Sequence, residues 1–203
     1  MDGFKQINIL DYVSALKTPD NIDEYRLLPE FSCPLNPDIE DFFKHKALEF
    51  DKQSISRTTM VFTSFKEKPV LVGYFTLANK IIVVRQGSVS GTLWKRIKKF
   101  GSVSRENKTC AISAPLIGQL GKNYINGYNG LISGDELLQM AIDQVKISQS
   151  ILGGKVVYLE CEDNAKLIDF YERNGFFNFN HRTKDSDETN INGEYLIQML
   201  SYL

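Results

Sequence analysis

An α/β (α+β) layer fold with a mixed sheet is what this sequence predicts, and three observations predict it. Strand and helix periodicities run in the order helix, antiparallel strands, then strand–helix–strand–helix–strand–strand. The strand–helix–strand step between 111 and 161 has the layout of a right-handed parallel crossover. The 203 residues are 42% hydrophobic and 24% charged, which is enough for a packed core without disulfides.

Taken in order, residues 1–55 form an N-terminal part with little periodicity before Asn36. Asn36 is an N-cap, Pro37 suits a first helical position, and Asp38 and Glu40 complement the helix dipole. Ile39, Phe43, Ala47 and Phe50 then recur on one face, so the spacing predicts a helix over 37–52. Thr58–Phe65 and Val70–Leu77 are rich in β-branched and aromatic residues. They flank the turn Lys66-Glu67-Lys68-Pro69 and read as a hairpin, with Ile81–Arg85 continuing the sheet.

Residues 86–109 read as a long inserted connection. Within it Leu93, Ile97 and Phe100 share one side of a short amphipathic helix, and Lys95, Arg96, Lys98 and Lys99 share the other. This is the only dense basic cluster. Its plain reading is the wet face of a helix, and its functional reading is a contact for RNA phosphates. Ala111–Leu120 is a strand, but Pro115 cannot donate to a ladder and places it at an edge, a bulge or a splay. A helix over 135–150 carries the stripe Leu138, Ala141, Ile142 and Val145. A buried strand over 155–161 leads to a helix over 163–174 that Gly175 stops. Phe176–Phe179 and Tyr195–Leu200 are the last strands, with a polar loop over 181–193 between them.

Several function classes drop out. The formal net charge is -1, so the chain as a whole is not a polyanion binder, although a local patch is compatible with that total. His45 and His181 are the only histidines, which disfavours a His-rich metal site or a Ser-His-Asp triad; no metal is expected. Cys33, Cys110 and Cys161 are too few and too scattered for a disulfide framework or a zinc site. A nucleophilic Cys161 has no histidine near it in sequence, so a buried free thiol is the better reading. The start MDGFKQINIL lacks a signal-peptide pattern, and no run is as long as a membrane span. The expected setting is the cytoplasm, with no membrane partner.

The chemistry concentrates between Leu116 and Gln149. A strand gives way to a loop holding Gly118, Gly121, Gly127, Gly130 and Gly134, and a helix follows. Backbone N–H groups at such a helix start favour an anion, above all a diphosphate; a flexible connection is the bland alternative. Neither a G-x-G-x-x-G in register nor a P-loop lysine is present. Then comes Val156-Val157-Tyr158-Leu159-Glu160-Cys161-Glu162-Asp163-Asn164, followed by Tyr171 and Arg173-Asn174-Gly175-Phe176.

This last segment resembles the second half of the GNAT acetyltransferase pattern, a strand followed by N-x-x-A-x-x-x-Y-x-x-x-G-F. The loop resembles the acyl-CoA signature Q/R-x-x-G-x-G/A, with Asn129-Gly130-Leu131-Ile132-Ser133-Gly134 in its place. Asn129 stands for Gln or Arg, Ile132 stands for the middle Gly, and the loop is about two residues longer than the family's. The match covers residues 111–200. Phe31-Ser32-Cys33, Ser56-Arg57-Thr58-Thr59 and Pro115-Leu116-Ile117-Gly118-Gln119-Leu120 further resemble the toxin-like GNAT subgroup.

The resemblance implies one GNAT domain over 1–203, with a mostly antiparallel central sheet splayed at the CoA site and flanked by helices. It implies acetyl-CoA as co-substrate, with the diphosphate on the backbone of Asn129, Gly130, Leu131, Ile132, Ser133 and Gly134. The pantetheine arm would lie along Leu120, Gly121 and Lys122 like an added strand, and Asn164 would contact the arm. On sequence alone Asn164 is equally a helix cap. Tyr171 would be the general acid to the CoA thiolate, and the Leu120 N–H would receive the oxyanion. Glu160 lies at the end of a central strand, where alternation can turn it from the cleft, so no general base is assigned. The acceptor would be a primary amine on a metabolite, a protein or aminoacyl-tRNA, and a second copy of the chain is a further candidate partner. The alternative is a GNAT-fold module that binds acyl-CoA or a protein partner with little catalysis, which the altered loop favours.

Overall fold

The structure is a computed structural model, and it describes residues 3–16, 23–184 and 193–203. The chain divides into two compact units, Met1–Ala78 with Gly118–Ala141, and Asn79–Ile117 with Ile142–Leu203. The strands are β1 (Lys5–Asn8), β2 (Arg57–Phe65), β3 (Lys68–Arg85), β4 (Gly101–Ser104), β5 (Thr109–Lys122), β6 (Val156–Glu162), β7 (Phe177–Thr183) and β8 (Tyr195–Tyr202). They bond in the order β1-β2-β3-β5-β6-β8-β7, with β4 also paired to β5. β5 and β6 pair in parallel, whereas β1/β2, β2/β3, β4/β5, β6/β8 and β7/β8 are antiparallel. The sheet is mixed and mostly antiparallel, as the sequence predicts.

The first unit begins with β1 and α1 (Ile9–Ala15), then α2 (Pro37–His45) and α3 (Ala47–Lys52). The Asn36 side chain accepts from the Asp38 and Ile39 N–H groups, so the expected cap forms. The helix expected over 37–52 is two helices. Lys46 leaves helical geometry at φ -125° and ψ -34°, and the chain turns there. The buried set shifts accordingly, from the expected stripe to Phe42, Phe43, Ala47 and Leu48. The turn between β2 and β3 places Lys66 and Glu67 at φ 51° and 64°, the left-handed pair of a tight hairpin. Phe31, Phe43 and Tyr74 pack ring on ring with centroids 4.9–5.1 Å apart. Asp51 is fully buried and fully partnered. Its carboxylate accepts from Asn8 Nδ2, the Thr58 N–H and Arg57 Nη1, tying β1, α3 and β2 together. A buried carboxylate is tolerated only with such partners.

In the second unit the expected long connection over 86–109 is largely ordered structure. β3 runs on to Arg85, α4 (Gly91–Ile97) follows, and β4 and β5 form a hairpin, with Val103 opposite Cys110. Leu93, Trp94 and Ile97 are the buried face of α4, packed with Ile82, Val84, Cys110 and Ile112. Phe100, expected on that face, is instead 39% exposed, because the helix ends before it. Pro115 does not mark a sheet edge. It falls between the residues of β5 that pair with β4, ending at Ile112, and those that pair with β6, Leu116 and Ile117. The residue that lacks an N–H thus sits where β5 pairs with neither β4 nor β6, rather than at an edge of the sheet.

β6, β8 and β7 complete this unit together with α6 (Ala165–Arg173). α5 (Gly134–Leu152) spans both units, and its buried positions include Leu138, Ala141, Ile142 and Val145. The polar loop expected over 181–193 starts later, because β7 continues to Thr183; residues 185–192 lie outside the described residues. No helix among the described residues is long and apolar enough to cross a membrane.

Candidate functional site

The end of β5 and the loop after it belong to the first unit. Gly121 is buried against α2, and a Cβ there would lie 2.4 Å from Ile39 Cγ2, so only glycine admits this approach. The next residue, Lys122, is tied to the loop rather than to a carboxylate. Its Nζ donates to the backbone oxygens of Asn129 and Ile132, at 2.9 and 3.1 Å. Among the described residues no carboxylate pairs with this ammonium. In a planar trans peptide the N–H points opposite to the carbonyl, and no peptide bond here is cis. With both carbonyls turned to Lys122, the Gly130 and Ser133 N–H groups therefore face the other way.

Asn123 anchors the start of the loop. Its side chain donates to the Glu30 and Leu71 oxygens and accepts from the Ser32 and Ile125 N–H groups. From Ile125 to Leu131 the chain makes a short 3-10 segment with Asn126 and Gly127 in the left-handed region. Ile132 is 3% exposed, with φ -141° and ψ 139°, extended geometry that a β-branched residue adopts easily. Replacement of the family glycine by Ile132 thus imposes no backbone strain. α5 then opens with a capping box. Ser133 Oγ accepts from the Glu136 N–H at 3.1 Å, and Glu136 Oε2 accepts from both the N–H and the hydroxyl of Ser133 at 2.8 Å. These bonds, first the one from the Ser133 N–H, hold the Glu136 carboxyl below its ordinary value.

The other predicted residues belong to the second unit. Asn164 Oδ1 accepts from the Lys166 N–H at 3.0 Å, so its side chain caps α6, as the bland reading has it. The helix stops where expected. Gly175 has φ 83°, and the Phe176 N–H reaches back to the Tyr171 oxygen at 3.0 Å. Tyr171 is half-buried between the rings of Phe170 and Phe176, with centroids at 4.9 and 6.0 Å. Burial, and then Cys161, raise its hydroxyl well above the ordinary phenol value, so the proton stays on. Cys161 itself is 7% exposed, and its Sγ lies 3.9 Å from Met199 Sδ. Burial, then Asp163 and Glu162, push the thiol up to about 11.

Glu160 is not a free base. Arg182 Nε and Gln198 Nε2 donate to its two oxygens, both at 2.7 Å. It shares a face of β6 with Tyr158, two residues earlier, whose side chain packs in the core with Leu93, Trp94 and Ile97 of α4. The basic residues Lys95, Arg96, Lys98 and Lys99 are exposed on and just after α4. Arg96 lies 5.3 Å from the Tyr202 ring centre and Lys98 lies 5.9 Å from that of Trp94. Among the described residues no three or more His, Cys, Asp or Glu are placed to hold a metal.

The structure thus brings Lys122, Asn129, Ile132, Ser133 and Gly134 into one bonded loop, and Asn164 and Tyr171 onto one helix. The capping box was readable, since Ser133-Gly134-Asp135-Glu136 is an S-x-x-E string directly before an apolar run. The Lys122 and Asn123 anchors and the Glu160–Arg182–Gln198 group carried no such signal, because register across distant strands creates them.

A mixed sheet with one short parallel step, a glycine-bearing loop into a long helix, and a last crossover helix stopped by Gly175 together define the GNAT fold. No family model and no curated protein sequence matches the chain. Solved structures share the fold at low identity. One described as a bacterial toxin aligns with a TM-score of 0.62 at 20% identity, over 100% of this chain and 92% of its own. AtaT complexed with acetyl-methionyl-tRNAfMet aligns at 0.59 and 16%, over 96% and 94%. A tyrosine-to-phenylalanine mutant of AtaT, bound to the C-terminus of the antitoxin AtaR and acetyl-CoA, aligns at 0.56 and 15%, over 99% and 94%.

Proposed function

We propose that the chain is an acetyl-CoA-dependent N-acetyltransferase whose acceptor is the amino group of an aminoacyl-tRNA. The loop after β5 is the observation that carries this reading. Lys122 draws the Asn129 and Ile132 carbonyls to one side, which turns the Gly130 and Ser133 N–H groups away from it at the start of a 19-residue helix. The ammonium has no carboxylate partner among the described residues, and a diphosphate is the anion such a loop suits. The pantetheine amides would pair along Leu120, Gly121 and Lys122, with Asn164 as a further contact to the arm.

In this reading the neutral amine attacks the acetyl carbonyl carbon. A carbon–nitrogen bond forms, and the oxygen takes up negative charge against the Leu120 N–H. The intermediate collapses, the carbon–sulfur bond breaks, and the CoA thiolate takes the proton of the Tyr171 hydroxyl; the new amide nitrogen releases its extra proton to water, and the Tyr171 phenolate regains one from water. The apolar setting of Tyr171 keeps that proton in place throughout the neutral range. The acceptor rests on two supports. Residues 79–110 carry eight Lys and Arg against one Glu in a chain of net charge -1, and one fold neighbour is complexed with an acetylated methionyl-tRNA.

Calorimetric titration with acetyl-CoA tests the cofactor site, and acetylation of aminoacyl-tRNA tests the reaction. Gly134→Trp abolishes acetyl-CoA binding. Tyr171→Phe keeps binding and loses turnover by about 10²–10⁴-fold, the usual worth of a general acid. Absence of binding to the native protein overturns the reading in favour of a GNAT-fold module that pairs with another protein.

A further inference from the structure

The Ser133 N–H belongs to the loop that the proposed function assigns to the diphosphate, and it is already bonded. Glu136 Oε2 lies 2.8 Å from this nitrogen and 2.8 Å from Ser133 Oγ. Glu136 is exposed, and these bonds keep its carboxyl ionised despite the neighbouring charge of Asp135. A full negative charge thus occupies the backbone donor that the diphosphate would take. Two anions do not share one N–H without mutual repulsion, and displacing the carboxylate breaks charge-assisted bonds.

We propose that Glu136 is an internal competitor of the cofactor, a carboxylate that occupies the Ser133 N–H in the free protein and sets acetyl-CoA affinity by having to leave it. The inference rests on the proposed cofactor site. Its consequence runs against the ordinary role of a helix cap. A mere cap, once damaged, frays the helix start and weakens whatever binds there, whereas a competitor, once neutralised, strengthens it.

Glu136→Gln separates the two roles. Glutamine also closes a capping box, so the helix start is kept while the charge is removed. Titration of the full chain with acetyl-CoA, at fixed pH and ionic strength, should show Glu136→Gln binding roughly tenfold more tightly than the native protein, the scale of one charge-assisted bond traded for a neutral one. Glu136→Asp keeps the charge on a shorter arm and should bind no more tightly than the native protein. Gly134→Trp marks the site. If the native protein binds, Gly134→Trp does not, and Glu136→Gln matches or falls below native affinity, the competitor role is overturned while the cofactor site stands. If neither the native protein nor Glu136→Gln binds acetyl-CoA, the cofactor site itself fails and the inference with it.

Discussion

Tyr171 and Cys161 are close in sequence, and burial raises the pKa of both, yet the proposed reaction gives them different parts. A raised phenol stays protonated and can give its proton away. A raised thiol stays protonated and is thereby a poor nucleophile, because the thiolate is the reactive form. Cys161→Ser should therefore acetylate at close to the native rate, and native Cys161 should resist alkylation at neutral pH. The sign of its pH effect follows from linkage. The folded thiol titrates near 11 and an unfolded thiol near the ordinary value of 9.0. Between these the unfolded chain binds fewer protons, so stability falls as pH rises through that window and is unaffected below it. Urea titrations at pH 8 and pH 10.5 should show a smaller alkaline loss for Cys161→Ser than for the native chain. An equal loss, or an inactive Cys161→Ser, would contradict this account.

Among the elements, β5 asks most of its sequence. In the first unit Gly121 lies so close to α2 that an added Cβ would meet Ile39 Cγ2 at 2.4 Å and Phe31 Cζ at 3.4 Å. Gly73 on β3 faces the Gly121 oxygen, where a Cβ would come within 2.8 Å. Gly121→Ala should cost about 1–3 kcal/mol by over-packing, measured as a lower urea midpoint with an unchanged slope. A stability within about 0.5 kcal/mol of native would show that α2 simply moves aside. The glycines were visible in the sequence, but their reason was not, because close approach of distant elements leaves no periodic trace. Other element signals transferred directly. Asn36 caps α2, Gly175 ends α6, and Pro115 marks the gap between the β4 and β6 pairings. The break at Lys46 was hidden by an apolar spacing that suits one continuous helix. The β4 hairpin was hidden because Gly101–Ser104 holds a single β-branched residue, and only pairing with β5 makes it a strand.

At the scale of the whole molecule the net charge of -1 conceals a strong segregation along the chain. Lys80, Arg85, Lys95, Arg96, Lys98, Lys99, Arg105 and Lys108 fall within residues 79–110 with Glu106 as the only acid, so the remainder is acidic. A solvated helix face explains Lys95, Arg96, Lys98 and Lys99, on and just after α4, and nothing beyond them; the end of β3 adds Arg85 and the turn between β4 and β5 adds Arg105 and Lys108 within the same unit. Charge gathered in this way gains from an anionic partner by releasing counterions, and the gain falls linearly with the logarithm of salt. Lys95→Glu with Arg96→Glu tests whether the segment docks RNA. Both side chains are exposed on α4, so the double variant should fold as the native chain does and bind acetyl-CoA equally well. Its affinity for uncharged tRNA should fall at least tenfold at low salt, and the slope of log affinity against log salt should shrink by roughly 1–2, in proportion to the phosphate contacts removed. Unchanged RNA affinity, or a matching loss of acetyl-CoA binding, would remove the support for an RNA-borne acceptor and return the choice to a protein or metabolite amine.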